Sequence, residues 1–198
     1  VDGYGAYEFD GVSNYINLPI IQPVNNFSIC GLFSTNGMSS DQVGYGSNTN
    51  NRTYISFIAT TSQIRTTFGN PAVNVNGLIY SNNTFYSICS VSSALNDTTN
   101  NGSLYINGIF YDSSTYIGDS TGTTNRIGHI SGTSYFNGLI DNVMIFNRSL
   151  SADEILLINN TGRLDTLVSA ETETGDNISY TSCPTNPMNE GVDGECVT

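Results

Sequence analysis

The chain has 198 residues, with 17 acids, five arginines and no lysine, which gives a formal net charge of −12. Nucleic-acid binding needs clustered cations that release counterions from phosphates, and an anionic membrane surface repels so acidic a chain. No apolar run approaches the about 20 residues of a membrane span. We therefore exclude a nucleic-acid partner and membrane insertion. Hydrophobic residues form 38% of the chain, enough for one large domain with a core.

Short segments in which polar and apolar residues alternate, separated by Gly and Asn turns, predict an all-β antiparallel sandwich. In chain order the predicted strands are residues 4–10, 14–18, 27–33, 52–59, 63–68, 85–91, 103–112 and 139–147. The segment 103–112 is the clearest hairpin, because Asn107-Gly108 suits a type I′ turn, in which both central residues take positive φ.

One short helix is predicted near residues 151–159. Ser151 and Glu154 have the spacing of a capping box, in which each side chain bonds the backbone N–H of the other residue. We expect Ile155, Leu156 and Ile158 to face the sandwich behind this cap. Gly162 is a plausible end of the helix.

The chain divides by composition into a domain of residues 1–163 and a C-terminal extension of residues 164–198. The extension contains seven acids and no base. One alternating apolar segment, residues 177–181, could add as a strand to a sheet edge.

Four cysteines, Cys30, Cys89, Cys183 and Cys196, allow three pairings. A zinc site is disfavoured, because no two of them form a C-x-x-C motif and His129 is the one histidine. An even number of cysteines in an acidic chain without lysine favours disulfides, and hence a secreted or cell-surface protein. The first residue is Val1 rather than Met, which fits either a processed or an artificial start.

Three stretches, in the right order, resemble the laminin-G-like, concanavalin A-type jelly roll. YEFDGVSNYINLP (residues 7–19) resembles the first hairpin of that family, and FSICGLF (residues 27–33) its third strand. The run IGHISGTSYFNGLIDNVMIFNRSLSADEI (residues 127–155) resembles its closing strand, loop, strand and short helix. The resemblance covers about residues 4–160 and implies a two-sheet antiparallel jelly-roll sandwich.

The pentraxin branch of this superfamily implies the cysteine pairing. Cys30 and Cys89 lie in segments similar to the two strands that a disulfide joins in pentraxins. We expect that bond to connect the two facing sheets, and Cys183 and Cys196 then to close a small loop in the extension. The alternative is that Cys30 and Cys89 are only small buried core residues.

The resemblance also raises the question of catalysis. Glucanases of this fold use a Glu-x-Asp-x-x-Glu pattern, which Glu8 and Asp10 begin here but Ser13 breaks. We interpret the two acids as an exposed strand face and a turn, and His129 as a strand residue rather than a base. The prediction is a protein that is not an enzyme.

Calcium is the metal that the resemblance implies, and it needs several oxygen ligands, usually with two or more carboxylates. Asn50 and Asn51 lie where a pentraxin-like site begins, but the second ligand run, residues 130–134, contains no acid. The remaining candidates are scattered over predicted loops: Asp41, Asp97, Asp112 and Asp119. Calcium is possible but has no ligand motif, so we predict no metal and no cofactor.

Eight Asn-x-Ser/Thr sequons predict N-glycosylation of a secreted chain. They are at Asn26, Asn51, Asn82, Asn96, Asn101, Asn147, Asn159 and Asn177. Asn82, Asn96 and Asn101 are the best candidates, because they fall in polar predicted loops.

Two functions follow from these observations. The first is a structural or adhesive surface protein that self-assembles through its extension into a filament or coat, as a homo-oligomer or polymer. The alternative is a lectin-like carbohydrate-binding module whose partners are glycans or cell-surface glycoproteins. The sequence leaves open whether the extension pairs with its own chain or with a neighbouring copy.

Overall fold

A computed structural model describes residues 5–19, 25–37, 40–48, 52–69, 71–117, 124–130 and 134–161. This part of the chain forms twelve strands and one helix. Their bounds are β1 Tyr7–Asp10, β2 Ile16–Leu18, β3 Phe27–Thr35, β4 Gln42–Asn48, β5 Arg52–Ile58, β6 Gln63–Gly69, β7 Val73–Ile79, β8 Tyr86–Ala94, β9 Thr99–Ile106, β10 Ile109–Ile117, β11 Thr124–Ile127, β12 Asn137–Phe146 and α1 Ala152–Thr161. The predicted domain boundary at residue 163 and the extension lie outside the described residues.

The strands form two six-stranded antiparallel sheets, which confirms the predicted jelly-roll sandwich. The first sheet has the order β1-β12-β3-β8-β9-β10, and the second has the order β2-β11-β4-β5-β6-β7. Consecutive strands β2 and β3, and likewise β11 and β12, lie in different sheets, so the chain crosses repeatedly from one sheet to the other. Residues distant in sequence therefore become neighbours within each sheet.

The core lies between the sheets and is dominated by aromatic rings. Phe33 of the first sheet and Phe57 of the second are fully buried, with ring centroids 6.2 Å apart. Phe136 meets Phe57 edge to face at 5.5 Å, an arrangement that aromatic pairs prefer. Phe27 and Ile29 are also buried there, as the alternation in β3 predicts.

The disulfide joins Cys30 to Cys89, as the resemblance implied. The expectation that it connects the two sheets is wrong. The two residues are directly opposite each other on β3 and β8, which are neighbours in the first sheet. Both lie in the cluster that Ile155 of α1 covers, on the face turned away from the second sheet. Cys183 and Cys196 lie outside the described residues, and their pairing stays a prediction.

The capping box of α1 is present. The backbone N–H of Ser151 donates to Glu154 Oε2 at 2.6 Å, and that of Glu154 donates to Ser151 Oγ at 3.3 Å. Ile155 and Ile158 are buried against the first sheet, but Leu156 is 45% exposed, contrary to prediction. Ile155 and Ile158 share a helix face because they are three residues apart, whereas Leu156, adjacent to Ile155, does not lie on that face.

Two seven-residue strands, β4 and β7, were not predicted, and glycine explains the omission of β4. β4 (QVGYGSN) contains two glycines, which weaken strand propensity. A Cβ at Gly44 would lie 2.6 Å from the Phe33 ring, and one at Gly46 would lie 2.7 Å from Ile130 Cβ. The packing of β4 requires glycine at both positions. The strand that the resemblance implied from residue 127 onward lies earlier in the chain, as β11 Thr124–Ile127.

Candidate functional site

Charge is divided unequally between the two sheets. The strands of the second sheet contain three of the five arginines and no acid: Arg52, Arg65 and Arg126. The strands of the first sheet contain four acids and no base: Glu8, Asp10, Asp112 and Asp141. The second sheet is therefore the cationic sheet of a strongly acidic chain.

The outer face of the second sheet carries one continuous line of residues across all six strands, which we name the polar row. In strand order its members are Asn17, Arg126, Gly46, Tyr54, Thr67 and Asn74, each paired in register with the next. Alternation places these side chains outward, since Asn125, Ile55 and Phe68, adjacent in the chain to three of them, are buried. Asn17 and Asn74 are exposed, Arg126 and Tyr54 are half-buried, and Thr67 is buried.

A second outward line runs beside the polar row. Ser56, Arg65 and Asn76 are paired in register on β5, β6 and β7. Arg65 Nε donates to Asn76 Oδ1 at 2.8 Å. In the described part of the chain, neither Arg65 nor Arg126 forms an ion pair with an acid.

Three aromatic side chains gather at the β2 and β11 end of the polar row, and we name them the aromatic corner: Tyr15, His129 and Tyr135. His129 stacks on Tyr135, with centroids 3.9 Å apart and planes at 13°. Tyr15 lies 5.6 Å from His129 and 6.5 Å from Tyr135. Tyr15 is 40% exposed, so the corner offers an aromatic surface to solvent.

Arg126 is held in place where the polar row meets the aromatic corner. Its guanidinium carbon lies 4.6 Å from the Tyr15 ring centroid, a cation–π distance. Nε donates to Asn17 Oδ1 at 3.0 Å, and Nη1 donates to the carbonyl of Ile130 at 3.4 Å. Nη1 also lies 3.3 Å from His129 Nδ1. Because a guanidinium nitrogen only donates, Nδ1 accepts and the imidazole is assigned as neutral.

Amide, hydroxyl and guanidinium groups lie along this row, with aromatic rings at one end. The row is interrupted at Gly46, where Ile130 occupies the space of a side chain. Together they form a surface for a ligand with polar edges and an apolar face. Sequence reasoning missed this site, although it did consider His129. One signal in the sequence could have indicated the site: three of the arginines lie in segments without acids, although the chain contains 17 acids. The interpretation of His129 as a strand residue is wrong, because it follows the end of β11 at Ile127.

The acids that began a glucanase-like pattern have structural positions. Asp10 Oδ1 accepts the backbone N–H groups of Val12, Ser13 and Asn14 at 2.9, 2.8 and 3.1 Å. These bonds, that of Ser13 foremost, hold the pKa of Asp10 well below its usual range. Glu8 is exposed on β1. Asp10 therefore forms the turn that the sequence predicted.

Among the described residues no group of three or more His, Cys, Asp or Glu could hold a metal. Asp41 Oδ1 instead accepts the N–H of Ala59 at 2.9 Å, and Asp112 Oδ1 that of Ser113 at 2.8 Å. Asp97 is exposed. Asn50, Asn51 and Asp119 lie outside the described residues.

The sequons occupy varied positions, and their glycosylation stays a prediction. Four of the asparagines are exposed: Asn26, Asn82, Asn96 and Asn147. Asn101 and Asn159 are half-buried, and Asn51 and Asn177 lie outside the described residues. Asn101, predicted to be in a loop, is in β9.

No helix of the described residues has the length and apolarity needed to cross a bilayer.

Residues 10–156 match the family model of the concanavalin A-like lectin/glucanases superfamily, third laminin G group. The chain belongs to this superfamily. The match spans the twelve strands of this concanavalin A-like domain from the end of β1 and reaches into α1. No curated protein matches the chain significantly in sequence.

Solved structures with low sequence identity share this concanavalin A-like fold. Domain 4 of an extracellular GH43 arabinanase from Geobacillus stearothermophilus, in complex with arabinotriose, has a TM-score of 0.65 at 16% identity, over 78% of this chain and 76% of that one. The CBM40 of the Ruminococcus gnavus IT-sialidase, bound to α2,3-sialyllactose, has a TM-score of 0.59 at 11% identity, over 77% and 97%. The heptameric SAP-like pentraxin of Limulus polyphemus has a TM-score of 0.57 at 12% identity, over 77% and 80%. At these identities the likeness shows the fold alone.

Proposed function

We propose that this chain is a secreted, non-enzymatic adhesive protein that attaches to glycans through the outer face of its second sheet. The observation that carries the proposal is the polar row, six paired positions across one sheet that end at an aromatic corner. Two of the structures of similar fold contain a bound saccharide, arabinotriose in one and sialyllactose in the other. The disulfide fits an oxidising, extracellular compartment.

The chemistry of the site suits a saccharide. Sugar hydroxyls need donors and acceptors in fixed positions, and the amides of Asn17 and Asn74 are exposed at opposite ends of the row. The C–H face of a sugar ring needs an apolar plane, which Tyr15 offers. The Arg126 guanidinium contacts that ring at 4.6 Å and restrains it, so less side-chain entropy is lost when a ligand stacks on it.

The test is binding of the full chain to a glycan array, with and without calcium, followed by titration of the best ligand. We expect Tyr15→Ala to weaken binding about five- to 150-fold, since stacking on an aromatic side chain contributes about 1–3 kcal/mol and 1.4 kcal/mol is tenfold. Tyr111→Ala is the matched control, because Tyr111 is 43% exposed on β10 of the first sheet. Equal losses for the two variants, or no ligand on any array, would refute the proposal.

A second candidate function is self-assembly into a filament or coat through the extension. The described strand that favours it is β10, at one edge of the first sheet. It exposes Ile109, Phe110 and Ile117 and carries one charge, at Asp112. An exposed apolar edge strand accepts a strand from another chain, so β10 could pair with a strand of a neighbouring copy.

Deletion of residues 170–198 tests this second function. We expect the full chain to form assemblies in size-exclusion chromatography and negative-stain images, and the shortened chain to run as a monomer. Assemblies that survive the deletion would refute a role for the extension. Glycan binding by the shortened chain should be unchanged, which separates the two functions.

A further inference from the structure

We infer that the glycan bound at the polar row is anionic, bearing a carboxylate or a sulfate, and that Arg126 is the side chain that recognises its charge. This inference rests on the proposed function and names the class of its ligand.

The first argument is the sign of the charge. The chain carries a net charge of −12, so most of its surface repels an anion. The strands of the second sheet are the exception, with three arginines and no acid. Because surface charges more than about 8 Å away are largely screened at physiological salt, the local cations decide what this face attracts.

The second argument is that no acid among the described residues pairs with Arg126. Its contacts are with neutral groups: the amide of Asn17, the carbonyl of Ile130, the imidazole of His129 and the ring of Tyr15. The chain has acids in excess, yet none pairs with this guanidinium in the described residues. Arg148, by contrast, pairs with Glu154 at 2.7 Å.

The third argument is preorganisation. The contacts of Arg126 occupy Nε and Nη1, and within the described part of the chain no acceptor bonds Nη2. Among the described residues Nη2 therefore keeps two N–H donors that an external oxyanion can accept from. Charge-assisted hydrogen bonds from a guanidinium to a carboxylate or sulfate are about twice as strong as neutral ones.

The fourth argument is a second cation on the same face. Arg65 lies three strands from Arg126 and about two residues further along the sheet. Strand spacing and rise place their backbones about 16 Å apart. Arg65 has no ion pair in the described residues, so a longer acidic oligosaccharide would contact both cations and a monosaccharide only Arg126.

The test is calorimetric titration of the full chain with three oligosaccharides of one backbone: neutral, carboxylated and sulfated. We expect an acidic form to bind at least about tenfold more tightly than the neutral form, a difference of about 1.4 kcal/mol, because a charge-assisted hydrogen bond is about twice as strong as a neutral one. The carboxylated and sulfated arms identify which anion is preferred. Raising salt from roughly 50 to 500 mM should weaken only acidic ligands.

Variants assign the effect to the residue. Arg126→Gln should reduce the ratio of acidic to neutral affinity to about one, and Arg126→Lys should retain part of that ratio, since lysine keeps the charge but loses the planar fork. Arg148→Gln is the matched control, a cation already paired with an acid, and should change nothing. Arg65→Gln should weaken a long acidic oligosaccharide severalfold and an acidic monosaccharide not at all. If Arg126→Gln lowers the melting temperature, the comparison of long and short acidic ligands with Arg65→Gln still tests whether cations of this face recognise the charge of the ligand.

The outcomes separate the two proposals. If neutral and acidic forms bind equally and Arg126→Gln has no effect, the charge inference is overturned while glycan binding stands. If no oligosaccharide of any class binds, both are overturned.

Discussion

The disulfide between Cys30 and Cys89 should be the largest single contribution to the stability of the domain. The two residues are 59 apart in sequence. For a loop of that size the chain-entropy model gives about 4 kcal/mol of stabilisation at 25 °C, because the bond removes conformations from the unfolded state. Replacing both by alanine, Cys30→Ala with Cys89→Ala, should remove this contribution.

Packing adds to the loss. Both cysteines are fully buried beside Val91 and beneath Ile155 of α1. Each substitution removes a buried sulfur and leaves only the Cβ methyl group, and the resulting small voids cost about 1–2 kcal/mol in all. The expected total is about 5–6 kcal/mol, a large share of the 5–15 kcal/mol typical of a folded domain.

Urea denaturation followed by circular dichroism measures this loss. With a slope of about 2 kcal/mol per molar, the midpoint should fall by about 2.5 M. The control is a background with Cys183→Ser and Cys196→Ser, denatured with and without reductant. In that background reduction breaks only the bond between β3 and β8, so it reports the entropic part without the void.

A decrease of the urea midpoint by less than about 0.5 M would refute the reasoning, since the loss of the entropic contribution alone should lower the midpoint by more than that. Peptide mapping under non-reducing conditions provides an independent check. A bond from Cys30 or Cys89 to a cysteine of the extension would contradict the pairing of β3 with β8 directly.

Two further changes test the fold locally. Glu154→Gln should cost about 1 kcal/mol at neutral pH, because its partner Arg148 is exposed enough for water to screen the pair. Burial raises the pKa of Glu154, but the bonds from Ser151 and Arg148 outweigh it and lower the pKa overall. The advantage of the wild type should therefore be present at neutral pH and disappear as pH falls below the usual glutamate range; an advantage that grows in acid would contradict this. Gly138→Ala should cost about 3 kcal/mol or more, since φ is +146° and the new Cβ would overlap the Ser34 carbonyl. Gly5→Ala, with φ of +72° and open space around it, should cost only about 1–2 kcal/mol; equal losses in thermal melts would refute the steric argument.

Local sequence predicted the elements whose signals are local. The hairpin turn is an example, because Asn107 and Gly108 have φ of 52° and 77°, both positive as the dipeptide indicates. The capping box at Ser151 and Glu154 is another, since it needs only a spacing of three residues. The disulfide was predicted by family resemblance rather than by local pattern. Even so, the sequence did not predict that this bond lies within one sheet.

Prediction failed where an element depends on what packs against it. β4 has little strand propensity of its own, yet Gly44 and Gly46 are required because Phe33 and Ile130 occupy the space of their side chains. Leu156 belongs to the apolar run of α1 but lies on the solvent side, because the first sheet covers only one face of the helix.

The sequence by itself determined the fold class of the protein: alternation predicted strands, and family motifs indicated the jelly roll. Only the tertiary structure placed Asn17, Arg126, Tyr54 and Asn74 in one line. Nothing near Asn17 in the chain indicates that its neighbour is Arg126, 109 residues later. Strand register is set by the packing of both sheets around the shared core, so a site built across six strands exists only once that core has formed.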